Sequence, residues 1–201
     1  MASGILKSST NTGSDADLIS LFVAPLNVIN NAPSFAQDSM SLKRSVASQN
    51  VQRWEITANI APTTGDPNFM LHSIKYSHSE IFYIRMPQIA NLKCTQANVL
   101  INGNASAGSE YINFSGANTL VPGEFINIGN DPKVYVVREP GALGVNARIY
   151  PALRVAVSTG MAVKTDKKVS MAVRFNSDVQ LGISYVDGIL ADPGVLSMLE
   201  A

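Results

Sequence analysis

Between Leu120 and Val137 two short apolar runs flank Gly129-Asn130-Asp131-Pro132. This stretch constrains the chain most, because it specifies a β-hairpin by mechanism. Gly, Asn and Asp tolerate turn dihedrals, Pro sets one of them, and the flanking runs are too short for helices. Further short runs lie around it: Val99 to Ile101, Tyr111 to Phe114, Ala147 to Tyr150 and Met161 to Lys164. Each is bounded by Gly, Pro, Asn or Ser. Short strands at this spacing predict a small closed barrel between Ala97 and Thr165.

Composition narrows the class. The chain has 201 residues, 46% of them hydrophobic, enough to bury one good core or two small ones. Charged residues make up only 15% and balance to zero, so no global field steers the chain onto nucleic acid or an acidic membrane. Weak charge also suits a subunit whose exterior is covered in an assembly. The single cysteine, Cys94, has no internal disulfide partner and reads as a small buried hydrophobe in a reducing cytoplasm. No apolar run approaches the roughly 18 residues of a membrane span, and the N-terminus lacks the basic and apolar blocks of a signal peptide.

In chain order, residues 1–17 are small and polar and read as a flexible N-terminal arm, able to order against a neighbouring subunit. Leu18 to Ile29 reads as one strand or two interrupted at Pro25. Residues 53 to 60 alternate strictly, with Trp54, Ile56, Ala58 and Ile60 on one face and Arg53, Glu55, Thr57 and Asn59 on the other. That is a half-buried strand with Trp54 and Ile56 in its core. Met40 to Val46 is expected to pair with it as a hairpin, placing Lys43 and Arg44 at a solvated edge where they are candidate partner contacts. Asp66 and Pro67 predict the start of a short helix ending near Ser77. His72 and His78, six apart, fall on different faces of it, so no metal site is expected. Ile81 to Met86, Val169 to Phe175, Leu181 to Tyr185 and Val195 to Leu199 are further strands. The predicted fold is therefore mainly β: a split β-domain with one short helix, residues 18–96 plus 167–201, into which a barrel of residues 97–166 is inserted.

The order of these segments carries a family resemblance. The strand Gln52-Arg-Trp-Glu-Ile56 leads to a Pro-headed helix. The hairpin from Gly123-Glu-Phe-Ile126 to Pro132-Lys-Val-Tyr135 follows, then Ile149-Tyr-Pro-Ala-Leu-Arg154, and the terminal strand ends Leu196-Ser-Met-Leu-Glu200. Together, from about Pro33 onward, they resemble the distal tail proteins of long-tailed bacteriophages. The resemblance implies a β-sandwich-like ring domain with an inserted barrel like the oligonucleotide/oligosaccharide-binding (OB) fold. It further implies a hexameric or pseudo-hexameric ring at the tail tip or baseplate of the virion, assembled in the host cytoplasm. The implied partners are further copies of the chain, the tail tube protein, the baseplate hub and tail fibre or adsorption proteins. Neither a membrane nor a specific nucleic acid is among them. The Ser- and Asn-rich N-terminal part does not align with that pattern.

Enzymatic readings lack their chemistry. The sequence has no Gly-x-Ser-x-Gly elbow, no phosphate-cradling Gly-x-x-x-x-Gly-Lys, no Gly-x-Gly-x-x-Gly and no His-Glu-x-x-His. No catalytic residue and no cofactor is expected. Asp15 and Asp17 lie in the expected arm as solvated carboxylates, and Asp131 reads as a turn cap, with Glu124 and Asp131 a weaker pair for a cation or a sugar hydroxyl. Two alternatives remain open. One is a glycan- or single-strand-binding barrel, for which Tyr111, Phe125, Tyr135 and Tyr150 lie among Lys133, Arg138, Arg148 and Arg154. Alternation assigns these aromatics to the core instead, with Phe125 and Tyr135 filling the barrel. The other is a capsid decoration or head-to-tail joining protein.

Overall fold

The computed structural model describes residues 2–48, 51–61, 80–88, 99–115, 120–141, 145–176, 184–186, 190–192 and 194–201. Among them the protein is mainly β, with only two single-turn 3-10 helices, Asp15–Asp17 and Asp166–Lys168. The helix predicted after Asp66, His72, His78 and Cys94 lie outside the described residues.

The chain divides into two compact units: Met1–Phe22 with Ile81–Ala172, and Val23–Glu80 with Val173–Ala201. The strands are β1 Gly4–Leu6, β2 Leu18–Asn31, β3 Ser34–Asp38, β4 Arg44–Ser48, β5 Arg53–Ile60 and β6 Phe82–Arg85. Then follow β7 Val99–Ile101, β8 Tyr111–Ile112, β9 Phe114–Ser115, β10 Phe125–Ile128, β11 Tyr135–Glu139, β12 Ala147–Tyr150 and β13 Ala162–Lys164. The last are β14 Ser170–Phe175, β15 Ser184–Val186, β16 Leu190–Asp192 and β17 Val195–Glu200. One closed sheet has the order β1-β2-β5-β17-β14-β6, and the chain passes between the units within β2 and β14 themselves.

In the first unit, β7 to β13 form a sheet of order β8-β12-β11-β10-β13-β7-β9. Its two terminal strands, β8 and β9, are separated in sequence by Asn113 alone, so one continuous segment borders both edges and the sheet comes round on itself. Strands β10, β11 and β12 follow one another as antiparallel neighbours, and β13 returns beside β10, which is a Greek-key order. This is the small barrel that the turn-bounded runs predict. Its interior holds Val99, Ile101, Ile112, Phe114, Leu120, Ile126, Ile128, Tyr135, Val137, Ala147, Ile149, Leu153, Val157 and Val163. Their alternation along each strand, as in Ala147 and Ile149 inside with Arg148 and Tyr150 outside, is what lets such short strands close around a core.

The N-terminal residues differ from the expected arm. Strand β1 pairs with β2 and β6, and Ile5 and Leu6 are buried. Gly4 lies so close to β2 that an added Cβ would sit 1.9 Å from the Ser20 carbonyl oxygen, so no larger residue fits without moving backbone. Two apolar residues beside a small one are enough to enter a sheet whose other strands bring the remaining core.

In the second unit β5 follows its predicted alternation, with Trp54, Ile56, Ala58 and Ile60 buried. It pairs in register with β17, from Asn59↔Val195 to Glu55↔Leu199, and β2 flanks its other edge. Both edges of β5 are thus occupied, and the expected pairing with Met40 to Val46 does not occur. Strand β4 pairs with β3, from Ser34↔Ser48 to Asp38↔Arg44, as a separate two-stranded ribbon.

Candidate interaction surfaces

The ribbon β3–β4 is exposed along its length. Phe35 (62% accessible), Val46, Met40 and Leu42 present apolar side chains to solvent on it. Its loop is held by Ser39, whose N–H donates to the Lys43 carbonyl (3.0 Å) and whose Oγ accepts from the Lys43 N–H (3.1 Å). Leu42 at the tip has φ +59, a left-handed conformation that a bulky residue adopts only at a cost. Lys43 and Arg44 are exposed here as expected, with Arg44 loosely paired to Asp38 at 4.0 Å. A two-stranded ribbon with neither face covered is marginal in water. Its exposed apolar side chains make it a candidate interaction surface.

The second surface is the outside of the barrel, where the expected core assignment of the aromatics divides. Tyr135 is interior, with 1% accessibility. Phe125 is not part of the barrel core: Ile126 and Ile128 take the interior positions of β10, while Phe125 is half-buried, its N–H and carbonyl bonded to the Gln88 side-chain amide at 3.2 and 2.8 Å. Tyr111 and Tyr150 also face outward. Arg148 stands opposite Tyr111 in register and lies 5.8 Å from its ring centroid, and Arg138 lies 6.0 Å from that of Tyr150. Glu110 and Glu139 bind Arg148 at 2.9 and 3.4 Å, so part of the positive charge is neutralised. The signal that distinguishes these tyrosines was in the sequence: each is one residue out of phase with the Ile or Ala that enters the core.

At one end of the barrel a cavity of about 660 Å³ opens beside the β10–β11 turn. Asp131 organises it. One carboxylate oxygen accepts from the Lys133 N–H (3.1 Å) and from Arg154 Nη2; the other accepts from the Tyr135 hydroxyl (3.0 Å). The Tyr135 oxygen in turn accepts from the Arg154 N–H at 3.1 Å. Burial, with the nearby Asp131 charge, raises the Tyr135 pKa well above the ordinary phenol value, so the hydroxyl keeps its proton and donates. The turn-capping role expected for Asp131 is present, together with two side-chain contacts that sequence spacing did not reveal.

A polar layer lies within the same unit. Arg85, fully buried, donates to Asp15 Oδ1 (2.9 Å), Asn11 Oδ1 (3.2 Å) and the Ser14 carbonyl. Asn11 ties this loop to the Lys167 carbonyl at 2.8 Å. Asp15 and Asp17 therefore serve a buried cation rather than an unstructured arm. The Thr12 hydroxyl, and more weakly Arg85, hold the Asp17 carboxyl below the usual range. In the same unit, Val121 to Glu124 is a turn with Gly123 at φ +90, and the Glu124 carboxylate accepts from the Val121 N–H at 3.3 Å. Glu124 is fully buried, and this pushes its pKa up to about 7, with Asp166 adding a like charge. Among the described residues no group of three or more His, Cys, Asp or Glu is placed to hold a metal ion. No family model matches the chain, and no curated protein sequence matches it.

Proposed function

We propose that this chain is a non-enzymatic structural protein of a bacteriophage tail tip or baseplate. It forms a hexameric or pseudo-hexameric ring that joins the tail tube to the hub and to the adsorption fibres. The observation that carries the reading is the β3–β4 ribbon, whose apolar residues are exposed and which pairs with no further strand among the described residues. A projecting ribbon is one element that can supply the heterologous contact a cyclic assembly repeats until the rotation closes. The resemblance of the segment order to that of distal tail proteins supports the same assignment, as does the low charge, 15% of residues and balanced. Lys43 and Arg44 at the ribbon tip are the polar contacts of that interface in this reading.

Native mass spectrometry of the purified protein, followed by imaging, tests the ring. A closed assembly is expected, and it should be lost in the double variant Phe35→Ser, Leu42→Ser. An antibody against the chain should label the tail tip of the particle. Label on the head would overturn the assignment in favour of a capsid decoration or head-to-tail joining protein.

A second reading is favoured by the Tyr111–Arg148 and Tyr150–Arg138 pairs on the barrel exterior, a pattern suited to stacking against sugar rings or unpaired bases. Filter binding of labelled single strands and a glycan array, both at low salt, test it. Saturable binding lost in Tyr111→Ala would establish this reading, and flat signals would remove it.

A further inference from the structure

We propose that the cavity at the β10–β11 end of the barrel is a binding site for a small organic anion with an apolar body. The volume, about 660 Å³, is that of an ordinary small-molecule site. Its wall is apolar: Ile128, Pro132, Val155, Val157 and Met161 line it, and Val155 and Met161 reach solvent at the rim. The floor is rigid, because Tyr135, Ile128 and Val157 are also members of the barrel core.

The polar groups around this wall set the sign of the ligand. Asp131 is the carboxylate that lines the cavity, and its two oxygens are occupied by Lys133 N–H, Arg154 and the Tyr135 hydroxyl. It has little left to offer a cation or a sugar hydroxyl. Arg154 spends one nitrogen on Asp131 and keeps its remaining guanidinium hydrogens, with about half of its side chain accessible. Lys164 also lines the cavity, and no carboxylate among the described residues pairs with it. Arg154 and Asp131 cancel, and Lys164, as a lining residue, adds one positive charge to the surroundings of the cavity. An apolar wall beneath unpaired donors matches a ring or chain bearing one carboxylate, sulfonate or phosphate. The site is independent of the ring assignment, since none of its residues belongs to the β3–β4 ribbon.

The fluorescent sulfonate 8-anilinonaphthalene-1-sulfonate has this chemistry and serves as the probe, with uncharged N-phenyl-1-naphthylamine as its neutral counterpart. The sulfonate should bind saturably at one site per chain. Its amide chemical-shift changes should be confined to residues 128–132, 154–157 and 161–164. Lys164→Glu, a change at a partly exposed position, should weaken the sulfonate on the order of tenfold through reversal of one nearby charge and leave the neutral probe unaffected. The double variant Phe35→Ser, Leu42→Ser should bind it as the unaltered protein does. Absence of saturable binding, equal weakening of both probes by Lys164→Glu, or loss of binding in the ribbon variant would each overturn the proposal.

Discussion

The barrel and the β3–β4 ribbon are made from the same material, short alternating strands joined by tight turns, and they end in opposite states. In the barrel, alternate residues of every strand meet in one interior, and Ile126, Val137, Ala147 and Ile149 are wholly inaccessible. In the ribbon, Phe35, Val46 and Leu42 meet no interior. The difference lies in closure. With β8 and β9 counted as one segment, six strand positions around a ring give each inward side chain partners on the far side, whereas two strands leave both faces open. A barrel buries its apolar residues within itself, and a two-stranded ribbon does not.

This contrast is open to direct test by thermal unfolding of the isolated protein. The largest effect is expected for the aromatic anchor of the second unit: Trp54→Ala should cost about 3–5 kcal/mol, a fall in Tm on the order of 10 °C. An unchanged Tm would contradict its burial. Inside the barrel, Ile126→Ala should cost roughly 2–5 kcal/mol while the proposed ring, read by native mass spectrometry, still assembles. Loss of the ring with the fold intact would show that the barrel is part of the assembling surface.

Glu124 sharpens the comparison through pH. Its pKa rises from 4.5 to about 7 in the folded protein, so the folded state holds a proton that the unfolded chain releases. Stability from this group is therefore complete below pH 4.5 and declines as pH rises through 7, by at most about 3 kcal/mol. Glu124→Gln should flatten that slope in denaturant titrations between pH 5 and 8. A slope that survives the substitution would assign it to other groups.

The smallest effect on stability is expected on the ribbon. Phe35→Ser should shift unfolding of the monomer by no more than about 0.5 kcal/mol, because an exposed side chain loses little on replacement. If the proposed ring forms, its effect is expected on assembly instead. A large loss of monomer stability would mean that Phe35 is covered within its own chain, and the contrast with the barrel would fail.

Much of the local structure was legible in the sequence. The β10–β11 hairpin follows from Gly129 to Pro132, and the buried face of β5 follows from strict alternation of Trp54, Ile56, Ala58 and Ile60. Both depend on contacts within a few residues, where turn dihedrals and the two-residue period of a strand act directly. The expected core role of Phe125 failed because phase, and not residue type, decides which side chain enters: Ile126 and Ile128 hold the interior positions.

Only the tertiary structure decided the rest. Arg85 in an apolar strand and Asp15 in a polar segment carry no mutual signal across seventy residues, yet the buried guanidinium of one meets the solvent-facing carboxylate of the other. Strand β4 was assigned the wrong neighbour because an alternating strand specifies a face and not a partner, and β5 was already flanked by β2 and β17. The cavity joining Asp131, Arg154 and Lys164 exists because the return strand of the Greek key brings β13 beside β10. Local chemistry determined where this chain forms strands and turns. Which strands became neighbours, and hence which charges were buried or left open, depended on long-range closure that no short window of sequence contains.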